Sequence, residues 1–210
     1  MRKTLMNIYQ KLYSAFGPQD WWPGDSPFEV MVGAILTQNT NWANVEKAIH
    51  NIKEANALSP FTIHTMRTDR LAKLIRPSGY FNIKAKRLKA FVGHYVTAYE
   101  GSAGTMKKGD STALRNSLLE INGIGPETAD SILLYAIGKP QFVIDAYTKR
   151  ILSRHGILDP DGSYDDYQRL FHSELPTDVQ LFNEYHALLV KAGKEFCRPA
   201  QKCKGCPLET

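Results

Sequence analysis

One carboxylate in the chain is placed where it could do chemistry. Three apolar residues, Phe142-Val143-Ile144, deliver Asp145 to the start of the helical pattern Ala146-Tyr147-Thr148-Lys149-Arg150. Taken alone this is an N-cap, because an Asp ahead of a helix accepts hydrogen bonds from first-turn N–H groups. The same position also presents the charge at the end of an element, facing any cleft beside it. There a carboxylate can stabilise a cation that develops as a bond breaks.

About twenty residues upstream runs Leu118-Leu119-Glu120-Ile121-Asn122-Gly123-Ile124-Gly125-Pro126-Glu127-Thr128-Ala129-Asp130, which reads as helix, tight turn, helix. Gly123 and Gly125 can take positive φ and admit a foreign backbone, and Pro126 suits the first position of the next helix. Ala129, Ile132, Leu133 and Ala136 give that helix one face to bury. Such a turn aims backbone N–H groups and the positive end of a helix dipole at one point, which suits a phosphate of any sequence context. By itself the pattern also fits a ligand-free αα-hairpin.

Three tryptophans, Trp21, Trp22 and Trp42, fall in the first fifth of the chain. Core packing explains a lone Trp, but three clustered, two of them consecutive beside a Pro-Gly turn, can also form an electron-rich slot for a cationic aromatic ligand. The three cysteines, Cys197, Cys203 and Cys206, all lie in the last fourteen residues. Clustering with short spacers points to metal or iron–sulfur ligation, not to a disulfide framework. The six histidines show no ligand spacing to one another.

These groups need elements to position them, and the elements read as helices. Apolar residues recur at three-to-four spacing: Leu5, Ile8, Leu12 and Phe16; Phe28, Val32, Ile35 and Leu36; Leu88, Phe91, Val92 and Tyr95. Turn signals at Trp22 to Pro27, Arg76 to Gly79, Gly109 to Ser111, Gly138 to Pro140 and Asp159 to Gly162 cut the chain into roughly ten short helices. The best strand candidate, Gln141 to Ile144, is too short to found a sheet, so the fold is predicted to be all-α. No run approaches the roughly eighteen apolar residues of a membrane span, and the first residues lack the apolar stretch of a signal peptide. A cytoplasmic protein, nucleoid-associated in a bacterium or archaeon, is therefore expected. Twenty-six Lys and Arg against twenty-one Asp and Glu leave a formal charge of +5, which favours a polyanionic partner. Lys191, in an apolar setting, is expected to snorkel to solvent.

In this order, a Gly-x-Gly hairpin, an acid in a Val-Ile-Asp context and a C-terminal cysteine cluster resemble the endonuclease III superfamily of helix-hairpin-helix DNA glycosylases, over nearly the whole chain. Within it the chain looks most like the endonuclease III-like 3-methyladenine DNA glycosylases, through Trp21-Trp22-Pro23, Gly33-Ala34-Ile35-Leu36-Thr37-Gln38-Asn39-Thr40, Arg76-Pro77-Ser78-Gly79-Tyr80 and Lys84-Ala85-Lys86-Arg87-Leu88.

The resemblance implies a helix-hairpin-helix glycosylase fold of two helical domains, residues 22–136 and residues 1–21 with 137–210, flanking a DNA-binding cleft. It implies a monomeric, monofunctional enzyme that flips an alkylated purine out of damaged double-stranded DNA. Asp145 would be the catalytic acid. Trp21, Trp22 and Trp42 would hold the base, the last two most firmly. Gln38, in the loop after the third apolar helix, would fill the gap left by the flipped nucleotide. Gly123, Ile124, Gly125 and Thr128 would meet the DNA at the hairpin. Lys84, Lys86, Arg87, Lys149 and Arg150 could hold the backbone, although a solvated helix face explains them equally well. In bifunctional members a lysine just after the hairpin glycines forms a Schiff base; the matching residue here is Glu127, which cannot act as an amine nucleophile. A bifunctional glycosylase-lyase for oxidised pyrimidines and a non-catalytic hairpin protein are the competing readings. Cluster-bearing members carry four cysteines. Cys197, Cys203 and Cys206 match three ligands of a 4Fe-4S cluster with one residue deleted, and the fourth would fall just beyond Thr210. Zinc is the runner-up.

Overall fold

The computed structural model describes residues 1–200 and 202–209. Its elements, in chain order, are α1 (Arg2–Phe16), α2 (Pro27–Leu36), α3 (Trp42–Glu54), α4 (Pro60–Thr65), α5 (Thr68–Leu74), α6 (Phe81–Tyr99), α7 (Ala103–Lys107), α8 (Ser111–Leu119), α9 (Pro126–Ser131), α10 (Ala146–Arg154), α11 (Tyr164–Glu174) and α12 (Val179–Glu195). A 3₁₀ turn lies at Arg76–Ser78, and a π-helical stretch, Ile132–Ile137, continues α9. The all-α expectation holds. The helix ends follow the punctuation: Ser26 accepts from the N–H of Glu29 with Pro27 in the first turn of α2, Asp110 accepts from Thr112 and Ala113 at α8, and Ser163 and Asp166 cap each other's backbone groups at α11. Among the described residues no helix is long and apolar enough to cross a membrane.

Packing divides the chain into two units, residues 22–139 and residues 1–21 with 140–210. In the first, α2 forms the centre. Every residue from Phe28 to Leu36 is buried, and all but Glu29 are apolar or Gly, as suits a helix surrounded by others. It packs on α3, α6, α9 and the π-helical stretch. Three buried charged groups are fastened inside this unit. Glu29 of α2 meets the Lys53 ammonium of α3 at 2.7 Å. Asp130 of α9, fully buried, takes a two-point ion pair from Arg115 of α8, at 2.7 and 3.1 Å. The Lys84 ammonium of α6 donates to the backbone oxygens of Leu36 and Ser78 at 2.9 and 2.6 Å. Burial, with the Arg87 charge adding to it, lowers its pKa to about 8. Lys84 therefore anchors the C-terminal end of α2 and is not available to DNA.

In the second unit, α12 packs on α1 and α10. The Tyr185 hydroxyl donates to the Leu5 backbone oxygen at 2.7 Å. Gly193 makes room for Tyr147, whose ring lies where a Cβ would sit 2.4 Å from it. The strand candidate Gln141 to Ile144 takes no regular secondary structure and pairs with no strand among the described residues. Its backbone groups are taken by α11 side chains instead. The N–H of Phe142 donates to His172, the oxygen of Phe142 accepts from Gln168, and the N–H of Ile144 donates to the Tyr164 hydroxyl. Phe142 is stacked on Phe171 at 3.6 Å and meets Phe182 and Tyr185 edge-on. Burying one such ring contributes roughly 1.5–3 kcal/mol, so the segment just ahead of Asp145 is held rigidly.

Candidate active site

Asp145 is the N-cap of α10. Its Oδ1 accepts from the N–H of Thr148 at 2.7 Å, which leaves Oδ2 to face the other way, 3.8 Å from Nε2 of His186. His186 is buried on α12, and desolvation lowers its pKa while the Asp145 charge opposes that shift. The carboxylate is thus aimed by a helix N-terminus on one oxygen and bordered by an imidazole on the other. Sequence reasoning assigned nothing to His186, because an isolated histidine on an apolar helix face carries no spacing signal.

The hairpin between α8 and α9 differs from expectation in detail. Gly123 takes φ +87°, but Gly125 sits at φ −92° as the N-cap of α9. The N–H of Ile124 donates to the oxygen of Ile121, closing the turn, and its side chain is in the core. Ile124 therefore shapes the turn and has no N–H to offer. Nothing lies within 4 Å of a Cβ built on Gly125, so that face is open to an approaching group. Over Gly123 lies the stem of Arg87, its Cγ 2.3 Å from where a Cβ would be.

Gln38 follows α2, the second helix and not the third, because residues 17–26 form no helix. Its side chain bends back to the hairpin and donates to the Gly123 oxygen and to Thr128 Oγ1, while its own oxygen accepts from Arg87. Thr128, 6 % exposed, meets Gln38 and not the solvent.

The tryptophans separate. Trp22 and Trp42 meet edge to face at 5.3 Å and 85°, with Tyr135 tilted against Trp22 at 5.1 Å. Gly33 of α2 makes this possible, since a Cβ there would lie 3.3 Å from Trp22 and 3.5 Å from Trp42. Trp42 Nε1 donates to Glu46 at 2.8 Å, fixing the indole. Trp21 belongs to the other unit, where it lines a groove with Tyr9, Tyr13 and Glu184 and Lys194 lies over its ring. Tyr135 had no signal in the sequence, because it reaches the indoles from the π-helical stretch, where a 3.6-residue period no longer places side chains.

Of the basic residues, Lys86 is exposed. Lys149 donates to the oxygen of Gly162, and Arg150 to that of Cys197. Lys191 sits half-buried over the Phe16 ring.

The model of the HhH-GPD superfamily of base excision DNA repair proteins matches residues 32–177, which include the hairpin and Asp145. The chain belongs to this superfamily. A Methanocaldococcus jannaschii protein named as a candidate DNA repair glycosylase is 47% identical over 209 residues, covering 99% of this chain and 94% of its own. Among solved structures, an H. pylori 3-methyladenine DNA glycosylase bound to 1,N6-ethenoadenine is 29% identical, with a TM-score of 0.79 over 92% of this chain and 97% of that one. An endonuclease III–DNA complex shares the fold, with a TM-score of 0.84 at 20% identity over 99% and 93% of the two chains. This HhH-GPD protein is accordingly a DNA N-glycosylase of base excision repair and binds DNA.

In this superfamily member the cysteine segment is strapped to α10. Arg154 donates to Cys197 Sγ at 3.3 Å and to the oxygens of Arg198 and Pro199. Burial pushes the Cys206 thiol up, a hydrogen bond from Leu208 opposes this, and the nearby Cys203 and Cys197 add smaller rises. The donors are of the right kind for an iron–sulfur cluster. Among the described residues, however, no group of three or more Cys, His, Asp or Glu is disposed to hold a metal ion, so they fall short of a full ligand set.

Proposed function

We propose that this glycosylase is monofunctional and hydrolytically removes alkylated purines such as 3-methyladenine from double-stranded DNA, acting as a monomer. The observation that carries the reading is the aromatic cluster of Trp22, Trp42 and Tyr135 around Gly33. Ring faces and edges set at right angles can hold a flat cationic base by stacking and cation–π attraction. An alkylated purine is already a good leaving group, so a pocket of this kind needs little acid assistance. Likeness to the H. pylori enzyme, whose name states 3-methyladenine, supports the same substrate class.

In this reading the enzyme extrudes the nucleotide, at a cost of a few kcal/mol of stacking and pairing. Gln38 occupies the gap, and Gly123, Gly125 and α9 hold the backbone. Asp145 then stabilises positive charge on the sugar and orients the attacking water. Glu127, exposed in the first turn of α9, offers no amine for a Schiff base, which favours simple hydrolysis over the endonuclease III-type lyase.

The test is to incubate the protein with duplexes bearing single defined lesions, identify the released bases and treat the strands with alkali. A cationic purine should be released and the strand should break only after alkali. Trp42→Ala should slow that release by roughly tenfold or more, up to about thirtyfold for the roughly 2 kcal/mol of one desolvated cation–π contact, and Trp42→Phe by less. A borohydride-trapped protein–DNA adduct, or preferential release of oxidised pyrimidines, would overturn the reading.

The reading also assigns Cys197, Cys203 and Cys206 to three positions of a 4Fe-4S cluster. It rests on their spacing and on thiolate preference for iron–sulfur centres. No step of the chemistry passes through it. Protein purified anaerobically should be yellow-brown, with broad absorption at roughly 400 nm and equimolar iron and sulfide. Colourless, folded protein without iron removes the cluster from the account.

A further inference from the structure

Both donors of the Gln38 carboxamide, and one acceptor site of its oxygen, are engaged by its own protein. Nε2 has two protons, and it donates to the Gly123 oxygen at 3.0 Å and to Thr128 Oγ1 at 2.9 Å; Oε1 accepts from Arg87 Nη1 at 2.5 Å. Chemistry fixes the orientation of this amide. A guanidinium has only donors and a backbone carbonyl only accepts, so the oxygen must face Arg87 and the nitrogen Gly123. With both donors engaged, Gln38 lies folded on the hairpin and has no N–H to present to a base.

The backbone beneath it is fixed. Lys84 holds the Leu36 oxygen just ahead of the loop, the N–H of Thr40 donates to the oxygen of Thr37, and Asn39 takes the left-handed conformation at φ 53° that Asn tolerates better than most residues. Any excursion of Gln38 is therefore a rotation of its side chain, and each such rotation breaks the three bonds.

We propose that Thr128 and Arg87 latch Gln38 onto the hairpin in the free enzyme, and that the free energy of this latch sets how readily an undamaged base is extruded. The proposal rests on the reading above, in which Gln38 fills the gap left by the flipped nucleotide. Insertion competes with the latched state, so the extruded population is lowered by the factor that latching contributes. A damaged base, poorly stacked or poorly paired, leaves the helix at lower cost and crosses this threshold; a normal base does not. Thr128 and Arg87 are then specificity-determining residues that touch neither the lesion nor the sugar.

The experiment uses whole protein at saturating concentration on two duplexes carrying 2-aminopurine, one beside a lesion and one in undamaged sequence, and reads the fluorescence rise as the base leaves the stack. Thr128→Val keeps the shape of the side chain and removes one acceptor. Arg87→Met keeps the stem over Gly123 and removes the guanidinium. Each should raise the extruded fraction in the undamaged duplex by about two- to tenfold, the range of one net hydrogen bond. In the Gln38→Ala background both gains should vanish, because the effect passes through Gln38. Arg87→Lys, which restores a donor, should return extrusion toward the wild-type value. Melting curves identify any variant that fails to fold, and the other then decides. Less extrusion in a folded latch variant, or a gain that survives Gln38→Ala, overturns the latch. If instead Gln38→Ala extrudes as well as wild type beside a lesion, Gln38 is not the inserting residue, and the underlying assignment fails with the proposal.

Discussion

Asp145→Asn should release base about a thousandfold more slowly than the wild type while melting at nearly the same temperature. The two effects separate because the two carboxylate oxygens do different things. Oδ1 caps α10 by accepting from Thr148, and an asparagine oxygen caps a helix as well as an aspartate oxygen does, so the fold keeps its anchor. Asn carries no charge to set against the cation that grows on the sugar, and losing one aimed electrostatic contact of this kind costs roughly two to three orders of magnitude in rate. DNA affinity should stay level or rise, since a negative charge facing phosphates is gone. Single-turnover excision on a lesion duplex measures the rate and a thermal melt measures the cap. Asp145→Ala is the control: it should lose the chemistry and also about 1 kcal/mol of stability. An Asn variant that excises at close to the wild-type rate would remove Asp145 from the catalytic role.

Arg115→Met should lower the stability of the protein by about 3–5 kcal/mol, the cost of removing one member of a buried ion pair. Asp130 is fully enclosed, and the guanidinium bound to it at two points is itself 19% exposed, so the loss is expected toward the lower end of that range. The pair ties α8 to α9, the two helices on either side of the hairpin. Loosening it should weaken binding to damaged and undamaged duplexes alike, because backbone contacts carry no sequence information. Changing both partners to apolar residues of similar size, Arg115→Met with Asp130→Leu, should recover much of the stability, since no unpaired charge remains. Urea unfolding compared among the single, the double and the wild type decides it. A single variant within about 0.5 kcal/mol of wild type, the usual effect of a surface change, would show that the pair is solvated and contributes little.

The helices were legible in the sequence because their information is local. Apolar spacing marks the buried faces of α1, α2 and α6, and Ser26 and Asp110 mark starts through bonds to N–H groups within three residues. The N-cap position of Asp145 was legible for the same reason. Its cap, the apolar residues ahead of it and its distance from the hairpin are all properties of one short stretch.

The tertiary structure decided what each side chain meets. Lys84 and Lys86 are two residues apart on one helix, yet one is buried on backbone oxygens while the other is exposed. Trp21 and Trp22 are adjacent, yet they serve different units. Tyr135 reaches the indoles from the π-helical stretch, and Gln38 is folded onto a hairpin 85 residues away in sequence. His186 comes to Asp145 from a helix with no patterned link to it. The physical reason is common to all of these. Helix formation is driven by hydrogen bonds between residues three to five apart, whereas the partner of a long polar or aromatic side chain is set by which faces bury together, and only the assembled core specifies that.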